Sequence, residues 1–494
     1  MGVNNRAETR TEASPLLASV ADYGTNSAEP LDRYNTREGE LFDNVPKDKR
    51  RLGTLSACFL IFNRVIGTGI FATPSNILRS AGSVGVALIM WLFGSIVAIL
   101  GIAVYIELGT GLPRSGGEKN YLEFIYRRPQ FLITCVFSVY AMITGSAAAN
   151  SVVLSEFRDG YEKPNNFHWD KFWEGSGTDV NAFVAGLYAV IWSFTGYSNA
   201  NNVLSEIKDP VRTIKRAGPI AILGVSAVYM LINVAYFAVV SKNDILNSRR
   251  IVAALYFRNL YGPTTERALS AFIALSTFGS LLAGQFAQGR VMQELGREGI
   301  LPFASLFASS KPFNAPFAGL ILQYSVSILF LFAIPPGDAY LFLISLASYC
   351  TTIINALVAI GVLLLHTKAY QATWHWDPPF RSPKVVVIVF FTANMFLIFA
   401  PLMPPVSGSK TYENLPYWVS EQIFYTPVSR ISKLTFLATQ SHSLAAFAVS
   451  LLGMTYWYIW GTWLPKRRGY RLERCYTLQE DGISRWVFRK VAIE

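Results

Sequence analysis

Two glycines interrupt the first long apolar segment of the chain, and a proline follows them. The segment reads Phe62-Asn63-Arg64-Val65-Ile66-Gly67-Thr68-Gly69-Ile70-Phe71, with Pro74 three residues later. Glycine and proline disfavour a helix interior, and unwound backbone inside a membrane is tolerated only where it lines a cavity or is buried in protein. The N–H groups at such a break attract an anion such as a carboxylate. We therefore predict a ligand-binding backbone at Ile66, Gly67, Thr68, Gly69 and Ile70, with tight helix packing on small residues as the alternative.

A second apolar segment, residues 180–205, is interrupted in the same way at Gly196. Its polar side chains are expensive inside a membrane unless they face a polar cavity, and its aromatic rings are suited to cover an apolar ligand side chain. Two Gly-interrupted segments in one membrane protein indicate a ligand site near the midplane of the bilayer. We predict that this segment lines the same site through Trp192, Phe194, Thr195, Gly196 and Ser198. Hydrogen bonding between helices is the alternative.

Arg64 lies inside the first segment, where a charged side chain is costly unless it pairs or reaches the membrane surface. Three acidic residues, Glu107, Glu206 and Glu294, lie near the cytosolic ends of their own segments. We expect one of them to pair with Arg64, so that these four side chains form a gate on the cytosolic side of the site.

Other chemistries are disfavoured by the side chains present. The histidines and cysteines show no spacing typical of a metal site, a redox pair or a nucleophile with its base. We therefore expect no metal, no cofactor and no enzymatic activity. The net charge of +11 would suit a nucleic-acid-binding protein if the chain were soluble. We attribute it instead to basic loops that remain on the cytosolic side of a membrane, and we expect no nucleic acid partner.

Composition places the chain in a lipid bilayer. Of its 494 residues, 52% are hydrophobic and 15% are charged, whereas a soluble domain carries roughly 25% charged residues. A spanning helix needs about 20 apolar residues. Stretches of that length without Asp, Glu, Lys or Arg are Val84–Ile106, Pro129–Ser155, Val180–Ser205, Ala217–Ser241, Ala268–Gly289, Pro312–Gly337, Ala339–Leu365 and Val385–Ser409. With Leu52–Leu78 and Ser443–Leu464, we predict an all-α integral membrane protein of about ten transmembrane helices.

The same pattern divides the chain into three parts. We predict a disordered cytosolic tail at residues 1–51, a transmembrane domain at 52–465 and a cytosolic tail at 466–494. Basic residues concentrate on both tails next to the membrane domain, which places both termini in the cytosol. The stretch Glu12-Ala13-Ser14-Pro15-Leu16-Leu17 resembles an acidic dileucine signal, so sorting or ubiquitin machinery is an expected partner of the N-terminal tail.

Taken together, these motifs resemble the amino acid–polyamine–organocation (APC) superfamily. Residues 62–71 resemble its first-helix signature, and residues 112–118, 196–210 and 294–302 resemble the loop after helix 2, helix 6 and the end of helix 8. The form of these motifs is similar to the fungal high-affinity methionine permease branch, which is itself similar to L-type amino acid transporters. The resemblance covers most of residues 50–470.

The resemblance implies a fold and a function. The fold would be LeuT-type, with two inverted five-helix repeats and two further helices. The function would be uptake of methionine or a related apolar or sulfur-containing amino acid across the plasma membrane by alternating access, with a proton as the coupling ion. It implies that Gly67, Thr68 and Gly69 hold the substrate carboxylate. It also implies that Trp192, Phe194 and Gly196 meet the amino group and side chain.

Two departures from the family pattern qualify this expectation. Helices 4 and 5 have no counterpart after Glu156, so one repeat would hold three helices and the other five. Val419–Gln440 is inserted before the last helix, and its ends can be encoded as splice-site-like sequence. We favour the interpretation that Val419–Gln440 is a retained in-frame intron and that coding sequence after Glu156 has been removed. The alternative is a genuine variant with a longer outer loop. The alternative function is that of a non-transporting truncated isoform or a nutrient-sensor-like membrane protein.

Overall fold

The computed structural model describes residues 50–144, 164–177, 180–247, 252–311, 315–333, 336–374, 376–402, 441–478 and 484–492. The N-terminal tail with its dileucine-like stretch lies outside these residues. So do the position after Glu156 and the insertion Val419–Gln440.

The described chain is mostly helical. In order, the helices are α1 (Thr54–Val65), α2 (Thr68–Ala72), α3 (Pro74–Ala81), α4 (Val84–Gly111), α5 (Glu118–Ile125), α6 (Leu132–Thr144), α7 (Trp169–Phe172), α8 (Val180–Phe194), α9 (Pro210–Val239), α10 (Lys242–Asn247), α11 (Val252–Tyr261), α12 (Pro263–Arg297), α13 (Ala304–Ala308), α14 (Phe317–Ala333), α15 (Pro336–Leu365), α16 (Lys368–Trp374), α17 (Lys384–Phe399), α18 (Ser441–Trp457) and α19 (Leu464–Arg468). Short 3₁₀ segments follow α8 (Asn199–Glu206) and α17 (Ala400–Leu402), and a π-helical turn (Tyr458–Trp463) joins α18 to α19.

Within the described residues, six helices are long and apolar enough to cross a membrane. They are Thr54–Ala72, Val84–Gly111, Pro210–Val239, Phe342–Leu365, Lys384–Leu402 and Ser443–Arg468, and shorter apolar helices run over Leu132–Ile143 and Phe317–Phe330. The predicted class of a helical membrane protein is therefore confirmed. The count of about ten spans and the loss of helices 4 and 5 stay predictions.

The core of the bundle is apolar side chains packed between the long helices. Small residues set the spacing: a Cβ on Gly94 of α4 would lie 2.2 Å from Val190 of α8, and a Cβ on Gly218 of α9 would lie 3.0 Å from Ile102 of α4. Because packing depends on such close approaches, α4 is fixed between α8 and α9. The first broken segment packs against α9 and α12 through α1, and against α8 through α2.

The C-terminal tail folds into an antiparallel hairpin, which the sequence analysis did not predict. Strand β1 (Tyr470–Leu478) pairs with β2 (Ser484–Ala492), with Tyr470 opposite Ala492. The hairpin docks on the bundle through Phe488, whose N–H donates to the carbonyl oxygen of Glu298 at 2.9 Å. The ring of Phe488 packs on Phe131 and Trp460. The tail is therefore attached to the end of α12.

Candidate functional site

The first predicted break is present. Helix α1 ends at Val65, Ile66 and Gly67 have non-helical backbone angles (φ/ψ −77°/94° and −150°/−142°), and α2 restarts at Thr68. Thr73 keeps helical angles and joins α2 to α3. Gly67 is the N-cap of α2 and offers no side-chain acceptor to the N–H groups of its first turn. No side chain of Gly67 therefore caps these N–H groups, and their binding of an anion stays a prediction.

The second break is also present. Helix α8 ends at Phe194, and Gly196 adopts a φ of +114° before the 3₁₀ segment begins. That backbone region favours glycine because a Cβ is strained there. A Cβ on Gly196 would also lie 2.3 Å from Cγ of Arg64. Two independent constraints thus require glycine where the second helix unwinds.

The two breaks lie side by side. A Cβ on Gly69 would lie 2.6 Å from Cα of Ser193, so α2 and α8 are in backbone contact at this point. The hydroxyls of Thr73 and Ser193 are 3.0 Å apart. The hydroxyl of Tyr229 lies 2.6 Å from the carbonyl oxygen of Val65 and 2.9 Å from that of Ser193. One phenol on α9 thus serves the carbonyl ends of both interrupted helices.

Tyr229 and Ser193 were missed by the sequence reasoning. A signal was present, because Ser226, Tyr229, Asn233 and Tyr236 recur at helical spacing along an otherwise apolar segment and so share one face of α9. Polar groups on one face of a spanning helix point to a buried partner. Ser280 of α12 was missed as well: its hydroxyl donates to the carbonyl oxygen of Arg64 at 3.1 Å.

The predicted aromatic residues occupy two different environments. Phe194 is buried, and its ring packs between Trp91 at 6.2 Å and Tyr229 at 5.1 Å. Trp192 is half-buried. A ligand role for both rings stays a prediction, and Phe194 lies in the core in the conformation described.

The remaining predicted residues surround the breaks. Ile70 is buried in the core, whereas Ile66 lines an open groove of about 650 Å³ between α1 and α12. The hydroxyl of Thr195 donates back to the carbonyl oxygen of Ile191 at 3.2 Å. The hydroxyl of Ser198 donates to Oε1 of Glu118 at 2.9 Å. The side chain of Thr68 lies outside the described part of the chain.

The four predicted gate residues are not brought together in this conformation. Arg64 makes no ion pair with Glu107, Glu206 or Glu294, all of which are among the described residues. Its guanidinium lies instead against Gly284 of α12, where a Cβ would meet Cζ of Arg64 at 3.1 Å.

Each of the three glutamates has another partner. Oε1 of Glu206 lies 3.1 Å from Nε of Arg290, and Oε1 of Glu294 lies 2.9 Å from Nη1 of Arg297. Glu107 is fully buried and binds three groups: Nε2 of His366 at 2.7 Å, the Trp376 indole N–H at 3.1 Å and the Ser382 N–H at 2.8 Å. Glu107 therefore ties the segment before α17 to α4.

The described part of the chain contains no group of three or more His, Cys, Asp or Glu side chains that could hold a metal ion. The polar groups at the two breaks are backbone N–H groups, carbonyl oxygens and hydroxyls. Such groups suit a ligand that carries both a carboxylate and an ammonium group.

Comparison with known proteins gives a consistent result. A family model described as "Amino acid permease" matches residues 52–159 and 157–426. The chain is 36% identical to the high-affinity methionine permease of Saccharomyces cerevisiae, over 95% of this chain and 88% of that protein. It is 25% identical to the low-affinity methionine permease of the same organism, over 96% of this chain and 95% of that protein. It is 26% identical to the b(0,+)-type amino acid transporter 1 of Mus musculus, over 76% of this chain and 87% of that protein.

The first of these alignments has a further feature. The alignment spans 538 positions, whereas this chain has 494 residues. At some positions the yeast protein therefore has residues that this chain lacks. The relatives named are permeases and transporters rather than enzymes.

Proposed function

Because this integral membrane protein belongs to the amino acid permease family, we propose that it takes up methionine or a related apolar or sulfur-containing amino acid by alternating access. The observation that carries the proposal is the pair of adjacent helix breaks joined by the Tyr229 hydroxyl. The names of the two yeast relatives support methionine as the first substrate to test.

The N–H groups of Gly67, Thr68 and Gly69 at the start of α2 would hold the substrate carboxylate. The missing side chains of Gly67 and Gly69 leave room for Ser280 of α12 and Ser193 of α8, which pack against this break. A helix N-terminus carries a partial positive charge that favours this anion. The unwound segment around Gly196 would meet the ammonium group through its carbonyl oxygens. Trp192 would lie over the apolar side chain, and Phe194 would support it from the core.

Arg64 would close the site on the cytosolic side in a further conformation. Glu206 is the best placed of its three predicted partners, because its 3₁₀ segment packs against both α1, which carries Arg64, and α12. Glu107 would hold α4 to the segment before α17, while Glu294 pairs with Arg297 on its own helix. A charge reversal at Arg64 that is rescued by reversal at one glutamate supports this gate, and failure of all three rescues contradicts it.

We further propose that the protein works in the plasma membrane with both termini in the cytosol. The basic residues at 47–51 and 466–474 support this orientation through the positive-inside rule. A proton is the proposed coupling ion, and the N-terminal tail would serve sorting or ubiquitin machinery.

The alternative is a truncated form that does not transport. The gaps in the alignment with the yeast relative support a shortened membrane domain, and the family model also matches in two pieces that meet near residue 158. Sequencing of the mature transcript across codons 150–185 and 415–445 separates the cases. About 60–80 further codons after Glu156 would supply two spans with their turns.

An uptake assay tests whether this protein transports methionine. The protein is expressed in cells that lack their own methionine uptake, its amount at the cell surface is measured, and labelled methionine is supplied. Saturable uptake above that of cells without the protein is the expected result. If surface-delivered protein gives no such uptake, and the transcript encodes this same chain, the non-transporting alternative holds.

A further inference from the structure

A single carboxyl group contacts the second helix break. Glu118 begins helix α5, which lies in the loop between two spanning helices, and its Oε1 accepts a hydrogen bond from Ser198 at 2.9 Å. Ser198 lies two residues after Gly196, where α8 has unwound. Any movement of the unwound segment therefore changes what the carboxyl of Glu118 contacts.

The surroundings of this carboxyl are polar and buried. The hydroxyl of Tyr121 and both side-chain polar atoms of Asn201 are buried without a hydrogen-bond partner among the described residues. Both groups lie against α4, because a Cβ on Gly109 would lie 2.4 Å from Oδ1 of Asn201 and 3.3 Å from the Tyr121 hydroxyl. Buried polar groups without protein partners are costly unless water or a ligand satisfies them.

The titratable groups facing Glu118 are phenols. Tyr105 of α4 packs on Tyr121 of α5 and on Tyr197 of the unwound segment, with ring centroids 6.2 Å and 5.6 Å apart, and all three phenols interact electrostatically with Glu118. The Tyr105 hydroxyl donates to Asn355 of α15 at 2.9 Å. A phenol is neutral at physiological pH, so these neighbours supply no positive charge.

The cations nearby act on other groups. Lys119, the next residue, pairs with Glu123 at 2.7 Å and with Glu298 of α12. Arg114, in the loop before α5, acts electrostatically on Tyr121. Glu118 itself makes no ion pair with a described residue. Burial raises the pKa of Glu118 above its ordinary value, while a backbone hydrogen bond and those from Ser198 and Tyr105 oppose that shift. The hydrogen bond from Ser198 is thus one of three that favour the ionised form.

We propose that the Glu118 carboxyl is the binding site of the coupling proton, and that Ser198 links its protonation to the position of the second broken helix. The carboxylate takes one proton from water and becomes a neutral carboxylic acid, and it returns that proton to water in the other state. This proposal rests on the proposed function, since it assigns the coupling group of that same transporter. No other residue has to change its charge.

The test uses the purified full chain in lipid vesicles. Glu118→Gln keeps an oxygen that can accept from Ser198 but cannot take up a proton. Glu123→Gln, five residues along the same helix, is the matched control. If one proton moves with each amino acid, a pH gradient of one unit supports about a tenfold accumulation of methionine. We expect wild type and Glu123→Gln to accumulate methionine. We expect Glu118→Gln to exchange internal for external methionine without accumulating it. Accumulation by Glu118→Gln equal to that of wild type would overturn the proposal.

Infrared spectroscopy separates this proposal from the transport function. A protonated carboxylic acid has its own C=O absorption, which disappears as the group ionises. We expect a band that titrates with pH in wild type and in Glu123→Gln and is missing in Glu118→Gln. If wild type exchanges no amino acid, the proposed function fails, but a band missing only in Glu118→Gln still supports proton binding there. A wild-type spectrum identical to that of Glu118→Gln at every pH overturns it.

Discussion

Replacement of Tyr229 by phenylalanine removes one hydroxyl and keeps the ring. The ring would still pack against Trp91 and Phe194. The perturbation is therefore confined to the hydrogen bonds that the Tyr229 hydroxyl makes at the two breaks. The carbonyl oxygens of Val65 and Ser193 would both lose their donor. Helix ends depend on such partners because their last carbonyl groups have none within the helix.

The size of the effect follows from two limits. A buried polar group left without a partner costs about 1–3 kcal/mol. Hydrogen bonds between helices in membrane proteins average only about 0.6 kcal/mol and reach about 1.7 kcal/mol. Here one donor serves two acceptors, so we expect a loss of about 1–2 kcal/mol. That corresponds to roughly a 5- to 30-fold change in an equilibrium constant.

The assay compares Tyr229→Phe with Tyr236→Phe. Tyr236 lies two turns further along α9, is buried and packs on Tyr256. No hydrogen bond of its hydroxyl is found among the described residues, so its loss should have a much smaller effect. For each variant we would measure surface amount, the methionine concentration at half-maximal uptake, and Tm with and without methionine. A weaker apparent affinity and a smaller rise of Tm on adding methionine are expected for Tyr229→Phe alone.

The reasoning is refuted if Tyr229→Phe and Tyr236→Phe behave alike in both measurements. A fall of Tm in Tyr229→Phe with unchanged methionine affinity would assign the hydroxyl to folding and not to the site.

Three further changes test other parts of the site. Gly196→Ala places a Cβ at a backbone φ of +114° and 2.3 Å from the Arg64 side chain, so uptake should fall to background. Gly224→Ala is the control: its Cβ meets nothing within 4 Å, so uptake should be retained. Glu206→Arg should lower uptake, and adding Arg290→Glu to the same chain should restore part of that uptake. The two side chains are 34% and 28% exposed, so we expect their ion pair to contribute under about 1 kcal/mol. A double variant without restored uptake would contradict the pairing. Glu107→Ala removes the partner of three buried groups. A buried polar group left without a partner costs about 1–3 kcal/mol, so Tm should fall, and an unchanged Tm would show that these groups find other partners.

The gate shows where sequence reasoning reached its limit. The sequence indicated that a lone charge at Arg64 is costly, but the pairing predicted with one of the three glutamates is not present in the structure. It could not indicate which of them meet, because a pairing depends on how far each helix is rotated and shifted against its neighbours. In the structure Oε1 of Glu107 lies 2.7 Å from Nε2 of His366, one of the histidines for which the sequence showed no spacing typical of a metal site or a nucleophile.

The family and the membrane setting, in contrast, were accessible from the sequence alone. The match to the amino acid permease family confirms the resemblance drawn from the motifs at residues 62–71 and 196–210. Charge-free apolar runs are sufficient to predict spanning helices because the bilayer imposes one requirement on every residue of a span. The run Val84–Ile106 accordingly lies within the helix Val84–Gly111.

The sequence alone indicated that long apolar helices cross a membrane and that two of the apolar segments unwind, since glycine and polar residues act locally on the backbone at Gly67 and Gly196. The tertiary structure alone decided that the two breaks, which were predicted to line one site, touch between Gly69 and Ser193. It also decided that one hydroxyl of Tyr229 serves both breaks and that Glu118 contacts the second. Those relations join residues far apart in the chain. They are fixed by the packing of all the helices together, which no local pattern of residues specifies.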